Sequence, residues 1–456
     1  MRFIISICLA IGLANPSIAQ ESSTKKGLSN VKKIYRLSLL WKEADYNFAH
    51  FDHIADLDWD ETYRDFIPKV ISSTSDIEYY NILKQFYALL NHHHTFVIPP
   101  QEMSNTIDEP QLKIVNIQRQ AIVADVAVSL KEAIPVGSKI IQVDDVPVND
   151  YLKNKFPFIS HSTDAFLWEI GIIELLKGEK GTEVNIAYVT PTHETKEIAL
   201  VRNSKDRHEQ WVRSNNEKQR FSFKWLENGI AYMALNTFAD PGIINDFKEK
   251  LPELYKSRGI IIDLRTNGGG NSDIGYEILK YFTDKPILTF SYKTRENRAV
   301  YKAWGRWTSE LSDEDIKNIS EERKEYLNHY NNTAFYKCNP DTVYPGTIKK
   351  IVVPFVVLTG NTGSAAEDFL VACDSIEKAV FVGKTTAGCT GTPYFFDLPG
   401  GGFATVTTTI QMYPDGRKQR NGIKPDIEVY PTIQDIIENK DSVLEKGIEI
   451  LNDEIK

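Results

Sequence analysis

Residues 350–374 read K-I-V-V-P-F-V-V-L-T-G-N-T-G-S-A-A-E-D-F-L-V-A-C-D, and two structural periods meet inside them. Residues 351–358 are β-branched and aromatic and are bounded by Gly360, the signature of a buried strand. Beyond the turn, Ala365, Ala366, Phe369, Leu370 and Cys373 recur at helical spacing. Ser364 stands at the start of that helix. Serine is a common helix N-cap, and that alone can account for it. The place also suits a nucleophile, because the hydroxyl is exposed on a rigid corner and the free N–H groups of the first helical turn face whatever it attacks.

Residues 258–273, R-G-I-I-I-D-L-R-T-N-G-G-G-N-S-D, form a second strand and turn. Residues 259–264 read as a buried strand ending in Asp-Leu-Arg, followed by Gly268, Gly269 and Gly270. Three glycines let the backbone approach a ligand closely and expose its N–H groups. The pattern D-L-R-x-N-x-G-G, with G-S-A-(A/S)-E about a hundred residues later, resembles the C-terminal processing (tail-specific) serine peptidases. Ser364 stands 101 positions after Asp263. The resemblance implies an α/β core of the ClpP/crotonase-like type with Ser364 as nucleophile. It implies an oxyanion hole made of the N–H of Ala365 and one N–H of the 268–270 turn, that of Gly269. It implies no metal and no cofactor.

At 456 residues the chain has room for about three domains. A composition of 42% hydrophobic and 25% charged residues is that of a soluble globular protein. The net charge of −9 leaves no basic excess to neutralise phosphates, which argues against nucleic acid or an anionic membrane as partner. Residues 1–19 read as a secretory signal peptide: Arg2 is followed by an apolar run, and Ser17 and Ala19 are small residues before a cut at Gln20. Cys8 lies inside the run, so no lipid anchor is expected at the cut. No later run is long enough to span a bilayer, and the expectation is an exported, periplasmic or extracellular chain. Cys338, Cys373 and Cys389 would remain, none in a C-x-x-C spacing, so neither a zinc nor a redox motif is expected and at most one disulfide.

Residues 28–100 read as a helical N-terminal module. Leu37, Leu40, Ala44 and Phe48 form an apolar face on its first helix, and Asp58 and Asp76 stand as caps of the second and third. The module ends in Asn91-His92-His93-His94-Thr95-Phe96. Consecutive histidines do not share a helical face, and no carboxylate stands at ligand spacing, so a metal patch is not expected. In the tricorn-core-like and interphotoreceptor retinoid-binding protein-like branch of the family, the module ends in D-x-H-T and its His is the general base. The resemblance therefore gives that role to His94 and places His92 where the Asp would stand.

Residues 105–203 resemble a PDZ domain through G-S-K-I-I-Q-V-D-D-V-P-V at 137–148 and G-E-K-G-T-E-V at 178–184. Such domains hold an extended peptide by strand addition. From 221 to 456 strands and helices alternate, which predicts an α/β core with parallel strand pairs. A charged insertion over 293–345 interrupts it, either a decoration or a lid. In the Ser–Lys branch of the family a lysine serves as base; the aligned position here is Cys389, 25 after Ser364, and Lys384 comes too early in the turn. The histidine branch orients its base with a carboxylate, and no Glu stands in residues 415–426. Gln419 is nearest to the expected place, with Asp415 and Glu367 as alternatives. These readings together describe an exported serine endopeptidase acting on unfolded or C-terminal peptide segments. The rival is a non-catalytic binding protein on the same fold, since fold does not secure activity.

Overall fold

The computed structural model describes residues 28–206, 209–213, 219–377 and 379–456; the signal peptide read over residues 1–19 lies outside them. Its centre is a sheet in the order Phe221–Trp225, Ile230–Leu235, Gly259–Asp263, Phe355–Thr359, Ala379–Gly383, Ile427–Glu428. The first pair is antiparallel and the remaining pairs are parallel. Gly259–Asp263 and Phe355–Thr359 are buried at every position, as parallel strands covered on both faces must be. The second of these starts at Phe355 rather than at the expected Ile351, because Pro354 lacks the N–H that a central strand needs.

Helices Ile243–Leu254, Ser272–Leu279 and Ala365–Ile376 cover one face, bringing Phe247, Ile278 and Phe369 against Ile260, Ile262 and Val357. The helix Ser442–Ile455 covers the other, with Val443 and Leu451 against Ile261, Val356 and Leu358. Phe369 is fully buried, and truncating such a ring to Ala costs about 3–5 kcal/mol. The turns that leave Asp263 and Thr359 both emerge from the carboxyl ends of parallel strands, where open α/β sheets place their sites.

The N-terminal helices are Asn30–Asn47, Trp59–Ser72 and Asp76–Ala88. Asp58 caps the second, as its sequence suggests. The third is capped by Ser75 instead of Asp76, which sits in the first turn where its charge favours the helix dipole. Leu37, Tyr79 and Phe86 share a core with Leu398, Ala404 and Val406 from the far end of the chain. The strand Phe96–Ile98 pairs with Phe403–Thr407, which pairs with Pro393–Asp397. The residues just before Phe96 are thereby fixed against the C-terminal part of the core.

Between these parts, strands Leu112–Ile117, Gln120–Val126, Lys139–Val143, Glu183–Val189 and Thr195–Val201 form an antiparallel sheet around its own core. In the insertion, the charged stretch 312–330 forms two helices, Asp313–Lys317 and Glu321–Tyr330, because Ser320 caps a fresh start. Ala299–Thr308 packs on the second so closely that a Cβ at Gly305 would lie 2.1 Å from the Tyr326 carbonyl. Just before and at the start of the insertion, two short strands, Ile287–Leu288 and Ser291–Arg295, pair in different sheets. Cys338, Cys373 and Cys389 are free thiols. No described helix is long and apolar enough to cross a membrane.

Candidate active site

Ser364 has φ 53° and ψ −127°, a backbone state that residues with a Cβ rarely adopt. An ordinary N-cap is extended, so Ser364 caps its helix from a strained state, with Glu367 reaching back to its N–H as in a capping box. The strain is held by neighbours. Ser364 N–H donates to Glu367 Oε2 at 3.0 Å, and Gly363 N–H to the Asn267 carbonyl at 3.0 Å. The buried Glu367 carboxylate also accepts from the Thr386 hydroxyl, from Gly388 N–H at 2.9 Å and from Cys389 N–H at 3.0 Å. Burial pushes its carboxyl up to about 7, with those hydrogen bonds opposing the rise. Glu367 thus ties the Ser364 turn to the 386–389 turn.

Asn267 organises the glycine turn. Its Nδ2 donates to the Leu235 carbonyl at 2.8 Å, and its Oδ1 accepts from Gly269 N–H at 2.9 Å. Gly269 has φ +100°, and a Cβ there would lie 2.6 Å from Ser364 Cβ and 2.8 Å from Ala365 N. Only glycine permits this approach. The N–H of Ala365, in the first helical turn, has no partner within its helix. The N–H of Gly269, expected as the second oxyanion donor, is already engaged by Asn267 Oδ1. The Asp-Leu-Arg motif has a bracing role: Arg265 bridges Asp263 at 2.6 Å and Asp441 at 2.7 Å.

His94 precedes the strand Phe96–Ile98 and is held by three bonds. Thr405 Oγ1 donates to its carbonyl at 2.7 Å, its N–H donates to His92 Nδ1 at 3.2 Å, and its Nδ1 lies 2.9 Å from the Gly391 carbonyl. A carbonyl only accepts, so Nδ1 carries the proton and Nε2 keeps its lone pair. Burial pushes the imidazole down to about 4, His93 adds to the drop, and the Gly391 bond opposes it. His94 is therefore a neutral base across the physiological range.

His92 Nδ1 accepts from His94 N–H and stands 2.8 Å from Thr407 Oγ1, filling an acceptor place that a carboxylate could also fill. His93 turns the other way, with Nδ1 3.1 Å from the Ser160 carbonyl and its ring edge-on to Phe166. The three histidines diverge and do not form a ligand set. Among the described residues, His50, Asp52 and His53 bring ligand atoms within 4.8 Å of one another. Burial lowers the pKa of both histidines, Arg420 and Lys293 add to the drop and Lys418 adds to that of His53, and the same positive charges oppose a divalent cation.

None of the three side chains considered as the orienter of His94 hydrogen-bonds to it. Gln419 is buried with both amide atoms unpartnered, Asp415 is exposed and paired with Arg417 at 2.7 Å, and Glu367 holds the turns described above. The orienting group is the Gly391 carbonyl, which no side-chain motif could announce. Lys384 is paired with Glu169 at 3.0 Å, away from the base position. Cys389 is buried and its thiol pushed up by desolvation and by Glu367. Ser364 and His94 share no hydrogen bond here, and catalytic hydrogen bonds often close only around a substrate. The 386–391 turn lies between them, with Cys389 packed on Gly363 and Gly391 holding His94. Beside it, a cavity of ≈ 370 Å³ lies between the antiparallel module and the core, lined among others by Arg119, Phe166, Trp168, Lys384 and Ala387.

Residues 229–429 match Peptidase family S41. The chain carries a peptidase family S41 domain. This bears out the resemblance drawn from the Asp263 and Ser364 motifs, and the family is one of serine peptidases. The S41 domain holds the glycine turn, the Ser364 elbow and the Gly391 carbonyl, while His94 comes from outside it. The chain is 23% identical over 359 residues to the tail-specific protease of Haemophilus influenzae, covering 75% of this chain and 44% of that protein. It spans under half the length of that relative. Among solved structures, mature CPAF complexed with lactacystin superimposes with a TM-score of 0.70 at 15% identity, over 92% of this chain and 98% of that one. The photosystem II D1 C-terminal processing protease gives 0.50 at 16%, over 89% and 96%. These likenesses show that the S41 domain and its flanking parts share the fold.

Proposed function

We propose that the protein is a serine-type peptidase that cleaves unfolded or C-terminal peptide segments through an acyl-enzyme, with Ser364 as nucleophile and His94 as base. The observation that carries this is the strained Ser364 elbow, linked through the 386–391 turn to a histidine whose Nδ1 proton is fixed on the Gly391 carbonyl, leaving Nε2 free. Ser364 Oγ attacks the peptide carbonyl and His94 Nε2 takes its proton, then gives it to the departing amine. The oxyanion rests on Ala365 N–H and on Gly269 N–H, the latter shared with Asn267 Oδ1. Water then releases the acyl group with His94 again as base.

In this reading, the antiparallel module over 105–203 is PDZ-like and grips the substrate, and the cavity beside residues 384–387 receives part of it. The residue 1–19 signal places the enzyme outside the cytoplasm. The name of the tail-specific relative supports a C-terminal substrate segment. A second reading, a binding protein on this fold, draws support from the absence of any carboxylate behind His94 among the described residues. Casein hydrolysis by the intact protein and its Ser364→Ala variant separates the two. Turnover lost in the variant supports the peptidase; a parent no faster than the variant supports the binding protein.

A further inference from the structure

The peptide unit that holds His94 is itself held. The carbonyl of Gly391 and the N–H of Thr392 belong to one peptide group, and that N–H donates to Thr409 Oγ1 at 2.8 Å. The preceding N–H, of Gly391, donates to Gln411 Oε1 at 3.0 Å. Thr409 and Gln411 are both buried on the strand Thr409–Met412. Gly391 has φ +98°, and a Cβ there would lie 2.6 Å from the Thr409 carbonyl, so the loop is pressed against this strand.

We propose that Thr409 is a positioning residue for catalysis: its hydroxyl, the Thr392–Gly391 peptide group and His94 Nδ1 form one hydrogen-bonded chain that does the work of the missing carboxylate. The chain runs His94 Nδ1–H to Gly391 O, then Thr392 N–H to Thr409 Oγ1. Hydrogen bonds in series polarise one another. An acceptor on the N–H side of an amide moves electron density onto its oxygen, so the Gly391 carbonyl becomes a stronger acceptor for Nδ1–H. When His94 Nε2 takes the Ser364 proton, the imidazolium gives no proton away through Nδ1; the chain stabilises its charge and fixes the ring plane. No atom is transferred along the chain. A neutral peptide does this less strongly than a carboxylate, and the Gly391 bond only partly opposes the lowering of the His94 pKa by burial.

The titratable groups around His94 are His92 and His93, with ring centroids 6.1 and 6.3 Å away and both kept neutral by burial. Across the turn are Cys389, a buried thiol, and Glu367, whose bonds go to the turn backbone. None of them offers Nδ1 a second acceptor.

The proposal rests on the peptidase reading, and its test keeps the two apart. Thr409→Val preserves shape and leaves the Thr392 N–H unpartnered; Thr409→Ser restores the hydroxyl. On casein, Thr409→Val should lower kcat by about three- to tenfold, the rate equivalent of one net hydrogen bond, with KM unchanged and the acid limb of kcat/KM moved to lower pH. Thr409→Ser should return both to parental values. An unchanged kcat in Thr409→Val, a loss confined to KM, or a Thr409→Ser as poor as Thr409→Val would overturn it. If Ser364→Ala remains active, the nucleophile assignment falls first and takes this proposal with it. If Ser364→Ala is inactive and Thr409→Val is parental, only the role of Thr409 falls. Should Thr409→Val fail to fold, ¹H–¹⁵N spectra of the parent imidazoles decide: His94 must appear as the Nδ1–H tautomer, and the Nε2–H form contradicts the chain.

Discussion

His94 gives its Nδ1 proton to the carbonyl oxygen of Gly391, 2.9 Å away. That bond joins the N-terminal module to the S41 domain at the point where the chemistry is proposed. It also explains how the site can lack a carboxylate behind its base. A carboxylate fixes the tautomer and stabilises the imidazolium. The carbonyl fixes the tautomer equally well and stabilises the charge less, so a weaker but correctly oriented base is expected.

Substitution at the elbow should separate stability from activity. Ser364→Ala and Ser364→Gly should both lose hydrolysis. Ser364→Gly should also melt higher than Ser364→Ala, because φ 53° with ψ −127° strains any residue with a Cβ by about 1–3 kcal/mol. Calorimetry of the two variants checks this. Equal melting temperatures would mean that the turn carries no strain.

Lys384 should be dispensable for the chemistry. Its ammonium pairs with Glu169, which also accepts from Asn361 and Asn116, so Lys384→Ala disturbs a contact between the antiparallel module and the core. We expect kcat within about threefold of the parent and an effect, if any, on KM. An inactive Lys384→Ala with an active His94→Ala would reverse the assignment of the base.

The brace should be more costly. Glu367→Ala leaves the N–H groups of Ser364, Gly388 and Cys389 unpartnered in a buried turn. Each such orphan costs about 1–3 kcal/mol, so the variant should be several kcal/mol less stable and inactive. Urea unfolding and a casein assay give both readouts. A stable, active Glu367→Ala would show that the turn holds itself.

Asp368 makes the stability of the helix Ala365–Ile376 pH-dependent. Burial pushes its carboxyl from 3.8 up to about 7; Ser272 Oγ donates to Oδ2 at 2.6 Å, and Oδ1 has no partner. Between those values the folded state keeps a proton that the unfolded state has lost, so this group's contribution to stability falls as pH rises from about 4 to about 7. Asp368→Asn removes that loss. The stability difference between variant and parent should therefore shift in the variant's favour between pH 4.5 and pH 8. A constant difference, or a shift the other way, would mean that Asp368 is ionised throughout.

Much of this was legible in the chain. The apolar runs at 259–264 and 351–358 read as buried strands, and they are parallel neighbours at the centre of the sheet, the second only from Phe355 onward. Ser364 was singled out by the break between periods, and His94 by the D-x-H-T resemblance, as the candidates proposed above. What could not be read were relationships made by backbone. The orienting group is the carbonyl of Gly391, whose identity as a residue carries no signal. The occupation of Gly269 N–H by Asn267 depends on one side-chain rotamer. Glu367 stood in the motif, yet whether it braced the turn or oriented the base depended on which turn folded over it.

The most direct test of the account is the rate of Ser364 labelling by a fluorophosphonate as a function of pH, followed by intact mass in the parent and in His94→Ala. The imidazole must be neutral to take the serine proton, and burial holds it neutral down to about pH 4. The parent should therefore gain one adduct, absent in Ser364→Ala, at a rate that rises through about pH 4 and is flat by pH 6, and His94→Ala should label at least a hundredfold more slowly, as expected for loss of a general base. Labelling of the parent at the rate of His94→Ala, or no labelling at any pH, would contradict the account.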